Sequence, residues 1–394
     1  MSIKAGTGTS KNSDATEAGR EAVDLAIKQI GGKPDLIIIY SSVVYDQEKM
    51  LAGANAAAGG AMIVGCSDAG EITEHGVTSN QVAAMAFSSD QMKFVTGLGQ
   101  GIKGNEHKAG MAAALDVKNK APEAPKMFIM LSDGLSGNGT SIIRGIQEVL
   151  GEHLPIMGGS AGDDFKAQKT YQYYGDKVLN DAVVGIGLCG KFTYAVGVEH
   201  GWEPIGLPMK VTKSENNIIK EIDGRPALKI YEEALGKTKE ELMKTLVTIA
   251  MYYPLGMSVP GSDDVLIRYI SATNDQEELI AAAEVPEGSE VRLMLCGAEK
   301  ALWSSKKAAE NALAQLKGST PKAILIFSCI ARLLLLGSRV NEEITPIQEV
   351  LGKDVPLLGF YTYGEQAPFK GDINPSVCHT VFHNETMTLM VIGE

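Results

Sequence analysis

Residues 155–165 read PIMGGSAGDDF, and within them Ser160 lies in the G-x-S-x-G pattern of a nucleophilic serine. In that motif a sharp strand-to-helix turn exposes the hydroxyl, which attacks an acyl group. A helix must follow the serine directly, whereas residues 163–202 alternate like strands around a Gly-Asp turn. The pattern therefore indicates a glycine-rich strand end, and a hydrolase using Ser160 is kept as the alternative.

Two other stretches of the chain resemble the one around Ser160. The three read GCSDAGE, GGSAGDD and GFYTYGE, and they begin at residues 65, 158 and 359. Ser67 and Tyr361 take the place of Ser160, so the serine is not common to all three. A carboxylate falls at the sixth following position in every copy, at Glu71, Asp164 and Glu365. The shared carboxylate is the feature that a functional hypothesis has to explain.

Each of these stretches ends a longer repeated pattern. A proline precedes a nearly continuous apolar run that reaches a serine seven residues later, from Pro34 to Ser41, Pro125 to Ser132 and Pro321 to Ser328. Such runs are typical of strands buried on both faces of a sheet. Ala-rich helical patterns precede them, and a second helix and a short strand follow. We predict an α/β fold of repeated βαβ-type units, with mostly parallel sheets flanked by antiparallel strands.

The repeats divide the chain into two predicted halves. Residues 30–200 hold two repeat units, and residues 201–394 hold the third unit together with an insertion at 201–290. Within the insertion, EIDGRPALKIYEEALG predicts a strand, an Asp-Gly turn and a helix, while DDVLIRYIS and SEVRLMLCG predict strands.

Composition narrows the class of protein. The chain has 394 residues, 44% of them hydrophobic, and a net charge of -12, which argues against a general nucleic-acid binder or anionic-membrane binder. Its five cysteines are scattered and form no zinc-type cluster, which indicates reduced thiols. The first 20 residues have no apolar signal segment, and LLLLG at 333–337 is too short to span a bilayer. We expect a cytoplasmic protein without membrane insertion.

Several of these motifs carry a resemblance to a known family. GCSDAGEI, PIMGGSAGDDF and GIGLCG resemble the N-terminal half of the FIST sensory family, and IFSCIARLLLLG and PLLGFYTYGEQAPF resemble its C-terminal half. The resemblance implies a ligand-sensing input module that recognises small molecules such as amino acids. Output domains such as kinases, cyclases or chemoreceptors often accompany it. We expect no output domain to follow in this chain, and a separate partner protein, such as a histidine kinase or a chemoreceptor, is expected to receive the signal.

The ligand site is predicted at the carboxyl ends of the parallel strands, where loops converge. The loops at 41–47, 132–141 and 328–338 are its expected walls, and ligand-driven ordering of these loops is the expected mechanism. The residues expected there follow the apolar strands: Ser41, Cys66, Ser132, Asp133, Ser328 and Cys329. The glycines of DGLSGNGTS at 133–141 bring backbone N–H groups within reach of an anion.

Arg332 and Glu365 are the charged candidates. An arginine in the apolar segment SCIARLL requires an anionic partner, which is either a ligand carboxylate or an internal acid such as Glu365. With Tyr361 and Tyr363 beside it, Glu365 is the best candidate to face a ligand ammonium, and the set suits a zwitterion such as an amino acid. Glu71 and Asp164 are expected to fasten the glycine turns through backbone N–H groups.

Two further functions stay open. His200 in VEHGW and His383 in VFHNET occupy strand patterns and are candidate axial ligands for haem, since some members of the family are similar to haem-binding nitric-oxide sensors. A cysteine nucleophile needs a base and a lowered pKa, and the sequence indicates neither. We therefore expect a non-enzymatic sensor of a small ligand, with no metal site.

Overall fold

The first repeat unit spans residues 3–89 of the computed structural model, which describes residues 2–394. Asp14 and Asp46 begin its two helices by accepting hydrogen bonds from the backbone N–H groups of Glu17 and Lys49. Its elements are β1 (Ile3–Ser10), α1 (Ala15–Ile30), β2 (Leu36–Ser41), α2 (Gln47–Ala57), β3 (Met62–Ser67), β4 (Glu71–Thr73), β5 (Gly76–Thr78) and β6 (Val82–Ser89). Strand β2 is buried along its whole length, as its apolar run predicts.

The second unit repeats this order of elements. It comprises β7 (Met92–Gln100), α3 (Glu106–Lys120), β8 (Met127–Ser132), α4 (Gly139–Leu150), β9 (Ile156–Ser160), β10 (Gln172–Tyr174), β11 (Lys177–Leu179) and β12 (Ala182–Gly190). A turn and short strands follow Ser160, and no helix begins within ten residues of it. This confirms the expectation that argued against a nucleophile elbow.

An inserted segment interrupts the third unit after its first strand, β13 (Thr193–Glu199). The segment forms an eight-stranded sheet. Its elements are β14 (Glu203–Glu215), β15 (Ile218–Ile222), β16 (Arg225–Pro226), α5 (Lys229–Leu235), α6 (Lys239–Ala250), β17 (Leu255–Ser258), β18 (Val265–Arg268), β19 (Ile270–Thr273), β20 (Leu279–Ala281) and β21 (Glu290–Leu295). We call residues 203–295 the insertion.

The third unit resumes after the insertion. It comprises α7 (Ala298–Gln315), β22 (Pro321–Cys329), α8 (Ile330–Leu336), a 3-10 helix (Gly337–Glu343), α9 (Ile344–Leu351), β23 (Leu357–Thr362), β24 (Glu365–Pro368), β25 (Thr380–His383) and β26 (Met387–Gly393). A one-turn 3-10 helix (Phe369–Gly371) lies between β24 and β25. Residues 328 and 329 therefore end β22 and residues 330–338 are helical, which corrects the predicted loop: Ile330, Ala331 and Leu336 are buried and drive the segment onto the core.

The three units exchange hairpins in a cycle. The sheet orders are β1-β6-β2-β3-β10-β11, β7-β12-β8-β9-β24-β25 and β13-β26-β22-β23-β4-β5. Each sheet thus takes four strands from one unit and a hairpin from the next unit around the cycle. Within each unit the second and third strands along the chain pair in parallel, as in β2 and β3. The last strand of the unit pairs with the second strand in the antiparallel direction. The predicted α/β class is confirmed, but the sheets are mixed where the sequence predicts mostly parallel ones. Strands β6, β12 and β26 lie between the first two strands of each unit, so among the described residues only β2–β3, β8–β9 and β22–β23 pair in parallel.

The inner faces of the three sheets share one core. Tyr40, Ile129 and Phe327 come from equivalent strands of the three units and lie in the same apolar cluster. The ring of Phe360 joins them, with its centroid 4.4 Å from Tyr40 and 5.8 Å from Phe327. Helices cover the outer faces. Among residues 2–394, no helix is long and apolar enough to cross a membrane.

Candidate functional site

The glycine turns that follow β3, β9 and β23 meet at the centre of the molecule. Gly162 N donates to Ser67 O at 3.0 Å, and Tyr363 N donates to Ser160 O at 3.1 Å. Ala69 N donates to Tyr361 O at 3.2 Å, which closes the ring. A Cβ at Gly162 would lie 2.9 Å from Ala69 N, so only glycine permits this approach. The three strand tips converge as the sequence predicts.

A cavity of about 510 Å³ opens beside this centre, between the second unit, the third unit and the insertion. Four of the residues predicted to bind a ligand line it, and Ser160 does so as well. These four are Ser132, Asp133, Cys329 and Tyr363. The size and the mixed lining are those of a site for a small organic molecule.

The wall from the second unit is polar and internally bonded. The hydroxyls of Ser132 and Ser160 lie 3.1 Å apart, and Gln366 Nε2 donates to Ser160 Oγ at 3.1 Å. The Asp133 carboxylate accepts the backbone N–H groups of Leu135 and Asp181, each at 2.8 Å. Asp133 therefore holds the glycine loop at 133–139 in place at the start of α4.

The opposite wall carries a carboxylate that has no partner. Glu385 is fully buried and lines the cavity, and neither of its oxygens has a hydrogen-bond partner among residues 2–394. Burial raises the pKa of its carboxyl well above the ordinary value, and the nearby Glu365 raises it further. Among the described residues, the lining contains the acids Asp133 and Glu385 and no lysine or arginine.

Arg332 lies outside the cavity and forms an internal salt bridge. Its guanidinium is fully buried, and its Nη2 lies 2.7 Å from Glu343 Oε1. All five of its N–H groups are used, by the Glu343 carboxylate, the carbonyls of His200 and Ala301, and the hydroxyls of Ser304 and Ser305. Of the two hypotheses for Arg332, the structure supports the internal pair, and it corrects the partner from Glu365 to Glu343.

Ser328 and Tyr361 belong to the same buried cluster as Arg332. Ser328 Oγ donates to Glu343 Oε2 at 3.4 Å, and the Tyr361 hydroxyl donates to the same oxygen. Burial and the Glu343 carboxylate raise the pKa of Tyr361 well above its usual value. The expected zwitterion site of Arg332, Tyr361, Tyr363 and Glu365 is therefore not assembled, because only Tyr363 faces the cavity.

Ser41 and Cys66 lie elsewhere in the first unit. Ser41 Oγ lies 2.8 Å from the Tyr173 hydroxyl and donates to Gln47 Oε1 at 3.1 Å. Cys66 is fully buried in the shared core. Neither residue lines the cavity, and the predicted placement of these two is corrected: each unit has its own strand ends, and the cavity opens beside those of the second and third units.

The three repeated carboxylates fasten backbone turns. Glu71 Oε1 accepts the N–H of Gln81 at 2.9 Å, and Asp164 Oδ2 accepts the N–H of Val43 at 3.1 Å, as expected for both residues. Glu365 Oε2 accepts the N–H of Thr386 at 3.0 Å, and its Oε1 has no partner among residues 2–394. Glu365 does not line the cavity.

The nucleophile candidates lack activation. Among the described residues, Ser160 Oγ bonds to a serine and an amide, and to no histidine or carboxylate. All five cysteines are buried and unpaired within residues 2–394, and burial raises the pKa of every one of their thiols. Since the thiolate is the nucleophile, these environments disfavour covalent chemistry.

The haem candidates share a second, smaller pocket. His200 and His383 line a space of about 210 Å³ together with Glu199, Asp264 and Lys370. Burial lowers the pKa of His200 to about 4 and that of His383 to about 3, so both imidazoles are neutral near pH 7. The charged lining and small volume do not fit a large apolar macrocycle. Within residues 2–394, no group of three potential metal ligands is present.

Several cavity residues were missed by sequence reasoning. The insertion contributes Val247 in α6, Met251 directly after α6 and Tyr269 directly before β19, and the third unit contributes Asn384 and Glu385. The capping box of Thr238 and Glu241, which begins α6, is legible in the sequence as T-K-E-E. A second sequence feature that could have pointed to the cavity is the turn before the last strand of each unit, which contains Glu385 in the third unit.

The fold and the site define a class of protein: an α/β protein of repeated units that carries a small-molecule cavity beneath an inserted sheet. Residues 35–225 match the FIST N domain and residues 227–368 match the FIST C domain. The chain belongs to the FIST family, whose domains are small-ligand sensor modules of signalling proteins.

Relatives and solved structures extend this comparison. An uncharacterised protein of Mycobacterium tuberculosis is 27% identical over 404 residues, covering 98% of this chain and 99% of its own. An uncharacterised protein of Methanocaldococcus jannaschii is 30% identical over 213 residues, covering 50% of this chain and 40% of its own. A cyanuric acid hydrolase from A. caulinodans is distantly similar in structure, with a TM-score of 0.37 and 9% identity over 100% of this chain and 99% of its own.

Proposed function

We propose that this protein is a sensor that binds a small molecule in the 510 Å³ cavity and signals to a separate protein. The observation that carries the proposal is the position of the cavity, which touches the second unit, the third unit and the insertion at once. A ligand held there contacts three bodies of the fold, so it favours the arrangement in which all three contacts are made.

An amino acid is the ligand class that we propose. The glycine loop at 133–139 leads into the N-terminus of α4, where the helix dipole and backbone N–H groups favour an anion. Glu385 lies on the opposite wall and favours a cation. A zwitterion can satisfy both walls, whereas the predicted clamp by Arg332 is not needed.

The signal is proposed to travel through the contact between α4 and the insertion. Arg144 Nη2 lies 2.7 Å from Glu284 Oε2, and Asn138 Nδ2 donates to Glu284 Oε1 at 3.1 Å. Asn138 also caps α4, so a shift of the glycine loop changes this contact directly. A histidine kinase or a chemoreceptor is the kind of partner proposed. The unpaired buried thiols support the cytoplasmic location that we propose with it.

The first prediction tests ligand binding at the cavity. Isothermal titration across the common amino acids is expected to give heat with at least one of them. Ala282 lines the cavity, and Ala282→Phe is expected to weaken that binding at least tenfold, because the ring occupies the ligand volume.

Ala52→Phe is the control, since Ala52 is exposed on α2 in the first unit and does not line the cavity. Its affinity for the same amino acid should equal that of the wild type. Heat from none of the amino acids would contradict the proposed ligand class, and equal affinity of Ala282→Phe and wild type would contradict the site.

A further inference from the structure

Glu385 occupies one copy of a turn that the three units repeat. The turn precedes the last strand of each unit, and its central residues Asn80, Asp181 and Glu385 have positive φ angles of 60°, 52° and 59°. In each turn the carbonyl of the next residue accepts a backbone N–H from the unit's central strand end. These bonds run from Ser42 to Gln81 at 3.1 Å, from Asp133 to Ala182 at 3.0 Å and from Cys329 to Thr386 at 3.1 Å. The three turns are therefore equivalent in backbone conformation and in hydrogen bonding.

The surroundings of the three central residues differ. Asn80 is exposed, and Asp181 is half-buried with its Oδ1 accepting the N–H of Lys103 at 2.8 Å. Glu385 is 0% exposed, because the insertion covers the third turn, and its carboxylate has no partner among the described residues. The insertion has thus converted a surface turn into a buried wall of the cavity.

Glutamate at this position lowers the stability of the folded state for two reasons. Positive φ is uncommon for residues other than glycine, asparagine and aspartate, so Glu385 adopts a strained backbone conformation. A buried charge also requires a counter-charge, and the nearest ionisable groups on the packed elements offer none. Glu365 on β24 is acidic, and the other groups are neutral at pH 7: Cys329 on β22, Cys296 after β21, Tyr231 on α5 and Tyr269 between β18 and β19.

The cavity also has apolar lining from all three bodies of the fold, between its polar groups. The apolar lining residues are Val247 in α6, Met251 directly after it, Ile330 in α8, Leu135 in the glycine loop and Phe382 in β25. A ligand that completes this site therefore combines one positive group with an apolar body. The missing counter-charge of Glu385 is then supplied by the ligand itself.

We propose that the Glu385 carboxylate anchors a positively charged nitrogen, an ammonium or a guanidinium, and that this group is the required part of the ligand. The inference rests on the proposed function, because it concerns the same cavity. It goes further in making the cation necessary and the carboxylate of an amino acid dispensable. Glu385 is accordingly the residue that determines ligand charge.

Calorimetric titration of the full chain with three probes of one shape tests this proposal. The probes are 2-phenylethylamine, 2-phenylethanol and phenylacetate, which are cationic, neutral and anionic near pH 7. We expect the amine to bind at least tenfold more tightly than the other two. Glu385→Asn, which adopts the residue of the equivalent turn in the first unit, is expected to weaken amine binding at least tenfold.

Asp181→Asn is the matched control, since it makes the same kind of change in the equivalent turn outside the cavity, and its affinity for the amine should not change. If the alcohol or the acid binds as tightly as the amine, or if Glu385→Asn binds the amine like the wild type, the inference is overturned and the proposed sensor function stands. If neither the three probes nor any common amino acid binds, both are overturned.

Discussion

At the residue scale, Arg332 and Glu385 represent two different uses of a buried charge. Arg332 has every donor satisfied inside the protein, whereas Glu385 has neither acceptor satisfied. A satisfied buried group specifies packing, while an unsatisfied one at a cavity costs stability until a ligand completes it. The apolar context made Arg332 conspicuous in the sequence, yet its function is to join α7, α8 and the 3-10 helix.

Arg332→Met is the prediction for this cluster. It leaves Glu343 buried without its cation, so we expect a loss of about 3–5 kcal/mol in the free energy of unfolding, measured by urea denaturation. Adding Glu343→Gln removes the orphaned charge and keeps an acceptor for Tyr361, so the double variant should recover most of that loss. Affinity of the folded protein for an amino acid that binds the wild type should not change; a weakened affinity would restore Arg332 as a ligand-binding residue.

At the element scale, the N-terminus of α4 joins the glycine loop to the insertion. Asn138 accepts the N–H of Thr140 at 2.9 Å and donates to Glu284 at 3.1 Å. Asn138→Ala is expected to cost about 1–2 kcal/mol of stability and to increase hydrogen exchange where α4 meets the insertion.

Thr238→Ala provides the comparison for that variant, because Thr238 caps α6 without a bond to the second unit. Its loss of stability should be similar, with no change in exchange at α4. Equal exchange at α4 in Asn138→Ala and the wild type would show that this contact does not hold the two bodies together.

The elements that sequence reasoning found are those defined by local pattern. The proline-led runs became buried strands ending at Ser41, Ser132 and Cys329, because continuous apolar runs fit strands covered on both faces. The exchange of hairpins could not be found in this way, since a short strand such as β4 carries no signal of which sheet it joins. Helix α8 was missed because its N-terminus has no side-chain cap and its apolar run has no polar face.

At the scale of the whole molecule, the hairpin exchange makes the two halves of the sequence one structure. The hairpin at 71–78 completes the third sheet, and the hairpin at 365–383 completes the second. The insertion covers one of three equivalent junctions, which explains why a cavity with an unpaired acid is found beside the third unit and not predicted from the repeat itself. The cavity therefore lies between elements that the shared sheets connect to both halves.

The same asymmetry predicts how stability depends on pH. Burial raises the pKa of the Glu385 carboxyl, so the folded state holds this proton more tightly than the unfolded state does. The free energy of unfolding should therefore fall as pH rises from the ordinary carboxyl pKa of about 4.3 towards the higher pKa of the folded state. Glu385→Asn removes this contribution, so its Tm minus that of the wild type should increase with pH between about 5 and 9. The contributions of His200 and His383 cancel in that difference, as does any constant relief of backbone strain.

A bound amine supplies the counter-charge instead of the proton, so it should raise the Tm of the wild type more at high pH than at low pH. A difference in Tm that is constant across this range would mean that Glu385 carries no buried charge for a ligand to neutralise.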